Sequence, residues 1–145
     1  MAYFQWADDM VIDNGPIDQD HQKLVQQINQ LHTATSAGRG QFVVALLLDE
    51  LICDTIAHTR KEEQLMVSSG YPPQDLHEHQ QIHACFIADL HSLQSKHASG
   101  HITVAAQLSL VLRDWLSLHI CRCDKEIRNF LSHKNTKANS VALVY

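Results

Sequence analysis

His58-Thr59-Arg60-Lys61-Glu62 sits in the middle of a long apolar-periodic stretch, and the rest of the chain can be read outward from it. A helix turns about 100° per residue, so His58 and Glu62, four positions apart, leave one face a turn above each other. A pair like this is common on solvated helices. Its meaning depends on what the other segments bring beside it.

The surrounding helix begins near Gln41 and runs to about Ser68, with Val44, Leu47, Leu48, Leu51, Thr55, His58, Glu62 and Leu65 along one side. Ser68-Ser69-Gly70-Tyr71-Pro72-Pro73 ends it, because glycine and paired prolines cannot continue a helix. Upstream, Gly38-Arg39-Gly40 closes a first helix that Asp18 caps and that carries His21, Leu24, Ile28 and Leu31 at helical spacing as far as about Ala37. Residues 1–17 form an irregular arm with turn chemistry at Asn14-Gly15-Pro16, and Trp6 is the aromatic expected to anchor it.

Downstream, a third helix starts near Gln74 with the stripe Leu76, His79, His83, Phe86, Ile87, Leu90 and Leu93, while His77 lies about 200° round from His79. After the break at Ala98-Ser99-Gly100, a fourth helix from about Ile102 to Leu131 carries Leu108, Leu112, Trp115, Leu116, His119, Cys123, Ile127 and Phe130. Short breaks between four helices imply antiparallel neighbours: an all-α, up-down-up-down four-helix bundle with an N-terminal arm. The domain is expected over residues 1–133, with 134–145 as a polar, linker-like C-terminal tail.

Composition narrows the function classes. A chain of 145 residues that is 45% apolar suits one domain, and a net charge of -5 with scattered basic residues argues against nucleic acid. Neither a membrane-length apolar run nor a leader-like start is present, so the expectation is a soluble, cytoplasmic protein without a membrane partner. The four cysteines, Cys53, Cys85, Cys121 and Cys123, read as reduced and mostly buried thiols. Histidine is the unusual residue, with eleven copies.

Four of these histidines align in height. His21 lies 18 residues before Arg39 and His58 19 after it, while His83 lies 17 before Gly100 and His119 19 after it. At equal rise per residue, all four reach one level of the bundle. The inward set is His21; His58 and Glu62; His79 and His83; His119 and Asp124. The last two are five apart, about 140° on an α-helix, which turns Asp124 round the core beside His119. Seven ligands are too many for one tetrahedral zinc and too nitrogen-rich for calcium or magnesium. Two ions fit, with two bridging carboxylates and the histidines divided three and two, which leaves one ion an open position.

These residues resemble those of the hemerythrin domain family. The matching stretches are Asp18 with His21-Gln22-Lys23-Leu24-Val25; His58 with Glu62-Glu63 and Met66; Gly70-Tyr71-Pro72; His79, His83 and Phe86; and Trp115-Leu116 with His119-Ile120 and Asp124-Lys125. The resemblance implies two non-haem irons with a bridging oxo or hydroxo oxygen. His79, His83 and His119 would hold one iron, His21 and His58 the other, and Glu62 and Asp124 would bridge. It implies reversible dioxygen binding at the two-histidine iron, for storage, delivery or sensing, rather than an enzyme. Leu116 would lie over the oxygen pocket, with Trp115 and Phe86 packed around it. Cys123 falls between His119 and Asp124 round the helix, near the irons, where a thiol could donate electrons or, as is favoured, fill a tight layer. The alternative is an oxygen or redox sensor that signals through the tail to an output domain, and a homo-oligomer is a further candidate assembly.

Two features depart from the family pattern. The spacing from Tyr71 to the third-helix histidines is long, and His77 stands where a shorter spacing would put a ligand. Gln81 lies four after His77, which favours His79 and His83. His32, His91, His97, His101 and His133 match no motif and are expected at the surface or at helix ends.

Overall fold

Four long helices pack antiparallel, each against its neighbours in sequence, with the fourth closing the ring against the first: α1 Pro16–Ser36, α2 Gln41–Ser68, α3 Pro73–Ala98 and α4 Val104–Leu118. The computed structural model describes residues 3–100 and 104–133, without the side chains of residues 104, 105, 108, 122 and 123. Leu108 and Cys123 therefore lie outside the described side chains, and the expected tail lies outside the described residues. The bundle architecture and the arm are as the periodicity implied. No helix among the described residues is long and apolar enough to cross a membrane.

The breaks have clear local causes. At the end of α1, the Arg39 and Gly38 amides bond the Ala34 and Thr35 carbonyls (3.0 and 3.1 Å). At the end of α2, Tyr71 and Gly70 repeat the pattern on Met66 and Val67 (3.0 and 3.1 Å). Both are Schellman closures that require a left-handed residue, and Gly38 and Gly70 supply it at φ 68° and 75°. The accompanying apolar contact is Tyr71 on the fully buried Met66.

The start of α1 differs from the expectation. Asp18 lies inside the helix and does not cap it; Asp13 takes the Gly15, Ile17 and Asp18 amides at 2.8, 3.1 and 3.2 Å. Asp18 instead accepts the Ile12 and Asn14 amides at 2.8 Å each, stapling the arm to the helix. Phe4 is the deep anchor, since its backbone pairs twice with the Asn29 amide and its ring is buried; Trp6 is half-buried beside it.

α4 also departs from expectation. It gives way to a π-helical segment, His119–Asp124, before helical backbone resumes over residues 125–133. In a π turn the backbone hydrogen bond spans five residues instead of four. Positions five apart then lie nearly one above the other, so Asp124 comes under His119 and not 140° round from it. The arm's 3₁₀ turn, Asp8–Met10, packs on this segment.

Two apolar layers enclose the buried histidines. The larger is built on Leu24, Ile28, Leu31, Leu48, Leu51, Leu90, Leu112 and Leu116, and the smaller on Met66, Tyr71 and Ile127. Burying each large side chain contributes roughly 1.5–3 kcal/mol. Cys53 and Cys85 are exposed free thiols and Cys121 is half-buried, which corrects the expectation of mostly buried ones. His97 is buried: its carbonyl accepts from the Gln41 side-chain amide at 2.9 Å and its Nε2 lies 3.4 Å from the Gln41 carbonyl, tying the end of α3 to the start of α2.

Nothing lies within 4 Å of where a Cβ on Gly70 would sit, so Gly70→Ala adds backbone strain without a clash. The variant should lose about 1–2 kcal/mol in chemical or thermal unfolding. An unchanged midpoint would contradict the left-handed closure.

Candidate metal centre

α1 contributes His21, α2 contributes His58 and Glu62, α3 contributes His79 and His83, and the π segment contributes His119 and Asp124. All seven converge, and each is 5% exposed or less. Among the described residues, no lysine or arginine pairs with Glu62 or Asp124; every ionic neighbour is an imidazole. Two buried carboxylates without a permanent cation are costly unless something positive joins them.

Each carboxylate divides its oxygens between two groups of histidines. Glu62 Oε1 lies 2.7, 3.3 and 3.8 Å from Nε2 of His79, His83 and His119. Asp124 Oδ1 lies 3.4 and 3.0 Å from Nε2 of His79 and His119. On the other side, Glu62 Oε2 is 3.1 Å from His58 Nε2 and 3.7 Å from His21 Nε2, and Asp124 Oδ2 is 3.1 Å from His21 Nε2. The potential ligands thus form two sets, Glu62, His79, His83, His119 and Asp124 beside His21, His58, Glu62 and Asp124.

The donor atoms suit cations. His83 Nε2 and His119 Nε2 approach to 3.0 Å, and two ligands each about 2.1 Å from one ion at right angles would be about 3 Å apart. His21 Nε2, His58 Nε2, Glu62 Oε2 and both Asp124 oxygens are buried and make no directed hydrogen bond. Buried polar atoms are rarely left so.

Without metal, the electrostatics follow from these contacts. Burial alone would lower the pKa of His21 and His79, but the Asp124 and Glu62 carboxylates override it and push both up to about 9. Burial raises Glu62, yet the His119, His21, His58 and His79 imidazoles hold it well below the usual carboxylate range. For Asp124, burial and the Glu62 charge raise the pKa, and His119, His21 and His79 bring it down below its ordinary value. The site therefore keeps its carboxylates ionised, with His21 and His79 as the positive partners.

Outside the ligand groups, Phe86 and Trp115 stack at 3.4 Å between ring centroids, and Trp115 stacks on His119 at 4.5 Å. Leu116, Trp115 and Phe86 line an internal cavity of about 10 Å³, with His58, His83 and His119 also in its wall. That is room for one water-sized molecule. Thr55 and Thr59 also line it, an inward placement the apolar stripe implied for Thr55 only.

Sequence reasoning assigned no role to Asp20 or Glu63. Asp20 Oδ2 lies 3.3 Å from His58 Nδ1, and Glu63 Oε1 lies 2.9 Å from His83 Nδ1. Both stand next to a ligand in the chain, but their partners lie on other helices, so only the fold reveals the pairing. His77 is exposed and bonds Gln81 at 3.1 Å, away from the centre.

The family model described as the hemerythrin HHE cation binding domain matches residues 15–131. The bacteriohemerythrin of Stenotrophomonas maltophilia is 33% identical over 121 residues, covering 83% of this chain and 76% of that one. That of Methylococcus capsulatus is 31% identical over 127 residues, covering 86% and 94%. A crystal structure of hemerythrin carrying a leucine-to-tyrosine substitution superposes with a TM-score of 0.80 at 27% identity, covering 91% of this chain and 99% of that one. The chain belongs to the hemerythrin family.

Proposed function

We propose that this protein holds two non-haem iron ions and binds dioxygen reversibly, for storage, delivery or sensing. His79, His83 and His119 would hold one iron and His21 and His58 the other, with Glu62 and Asp124 serving both and an oxo or hydroxo oxygen completing the centre. The observation that carries this reading is the division of each carboxylate, one oxygen toward each group of histidines. A single-ion site would have no use for that division.

When bound, an iron pair supplies the electrons that allow dioxygen to be taken up and released. The chain's own residues set the conditions. Three nitrogens and two oxygens face one side, two nitrogens and two oxygens the other, so the two-histidine side has more room for a further ligand. Neutral imidazoles outnumber the carboxylates, which leaves the ions strongly positive and disfavours high oxidation states. The cavity beside the ligands is walled largely by Leu24, Ile28, Leu51, Leu112, Leu116 and the two aromatic rings. A dry apolar space of this size admits a small uncharged molecule and excludes the hydrated ions and extra water that promote oxidation.

Binding is favoured over turnover on the same grounds: the cavity is too small for an organic substrate, and no free acid or base faces it besides the ligands.

Anaerobic loading with ferrous iron should give two ions per chain and a visible absorption band that appears in air and disappears under vacuum. Rapid, irreversible oxidation would contradict reversible binding. Glu62→Ala removes an oxygen from both groups and should lose at least one iron per chain by elemental analysis; retention of both would refute the bridge. Leu116→Gln, which puts a polar amide into the apolar wall, should speed autoxidation roughly tenfold, equivalent to about 1.4 kcal/mol in the barrier. An unchanged autoxidation rate would remove Leu116 from the wall's function.

A further inference from the structure

We propose that Asp20, shared with Lys61, is a positioning residue that sets how strongly His58 binds a metal ion on the two-histidine side. The inference rests on the two-metal reading above and concerns what distinguishes its two halves.

His58 turns Nε2 inward, 3.1 Å from Glu62 Oε2, so Nδ1 is left to carry the hydrogen and to donate to Asp20 Oδ2 at 3.3 Å. A carboxylate behind a ligating imidazole fixes the ring's orientation and makes the inward nitrogen a stronger donor. Lys61, three residues after His58 on α2, places Nζ 3.3 and 3.1 Å from the two oxygens of Asp20. One negative charge therefore serves two cationic or polar partners, and whatever Lys61 takes is withdrawn from His58.

The three-histidine side is built differently. Glu63 Oε1 accepts from His83 Nδ1 at 2.9 Å, and among the described residues no lysine or arginine pairs with Glu63. Its charge goes undivided to the imidazole. On the two-histidine side His21 offers no second handle, because its Nδ1 is buried without a hydrogen bond. Asp20 is the sole outer carboxylate found on that half among the described residues, and it is the one shared with a lysine.

The couple also opens to solvent. Asp20 and Lys61 line a surface cleft of about 190 Å³ that reaches His58, with Lys23 and Asp54 also in its lining. Lys61 is 58% exposed, so its hold on Asp20 weakens as salt screens it, whereas the Asp20–His58 contact is more protected. Ligand strength at His58 thus responds to the charge on Lys61, and among the described residues no lysine or arginine does the same at Glu63.

The test uses the full metal-free chain and zinc, which is redox-inert, titrated against a chromophoric chelator to obtain two dissociation constants. Asp20→Asn should weaken one constant about tenfold or more and leave the other in place. Lys61→Met should strengthen that same constant severalfold at low salt, with the gain vanishing near 1 M salt. Glu63→Gln should weaken the other constant. Unchanged constants in both Asp20→Asn and Lys61→Met, or weakening by both, would overturn the proposal, since a purely structural pair would fail in the same direction. Wild-type protein that binds fewer than two zinc ions would instead overturn the two-metal reading, and this inference with it.

Discussion

Glu62 and Asp124 are both fully buried, share one polar layer, and have no lysine or arginine beside them among the described residues. Moving a carboxylate out of water still costs several kcal/mol after the protein relaxes around it. The layer is tolerable only because five imidazoles surround the two charges. In the metal-free chain, protons on His21 and His79 fill that role, since the carboxylates hold both pKa values up at about 9. Metal ions on the same nitrogens would replace those protons, so uptake and proton release are linked. The apolar layers above and below keep water from relieving the charges in any other way.

The geometry of that layer depends on one irregular piece of backbone. Four of the five histidines and Glu62 come from regular helical spacing on α1, α2 and α3, but Asp124 reaches the centre only because His119–Asp124 is π-helical. Five residues per hydrogen-bonded turn put Asp124 Oδ1 3.0 Å from His119 Nε2. The arm packs on this segment, Asp9 approaching Cys121 at 3.9 Å, and is itself stapled to α1 by Asp18 two residues before Asp20. Arm, π segment and polar layer are thus mechanically continuous.

Much of this was legible in the residues. The bundle followed from three glycine-marked breaks and apolar stripes, because those signals are local and repeat at helical spacing. The convergence of seven ligands followed from counting residues away from the breaks, which needs only a constant rise per residue. The same assumption failed at Asp124, where the rise and turn are not constant. A helix start seen in sequence does not say which acidic residue turns back on the amides, and here it is Asp13, not Asp18. Glu63 belongs to a matching stretch, but neither it nor Asp20 shows its role in the sequence, since each acts on an imidazole of a different helix and nothing in their own spacing records it.

The carboxylates divide their oxygens between two groups of histidines, an arrangement that suits two ions. Diffraction from the iron-loaded protein at the iron absorption edge tests it directly. Two anomalous peaks roughly 3–4 Å apart, one among His79, His83 and His119 and one between His21 and His58, are the predicted result. A single peak, or ions held without Glu62 and Asp124 between them, would contradict it.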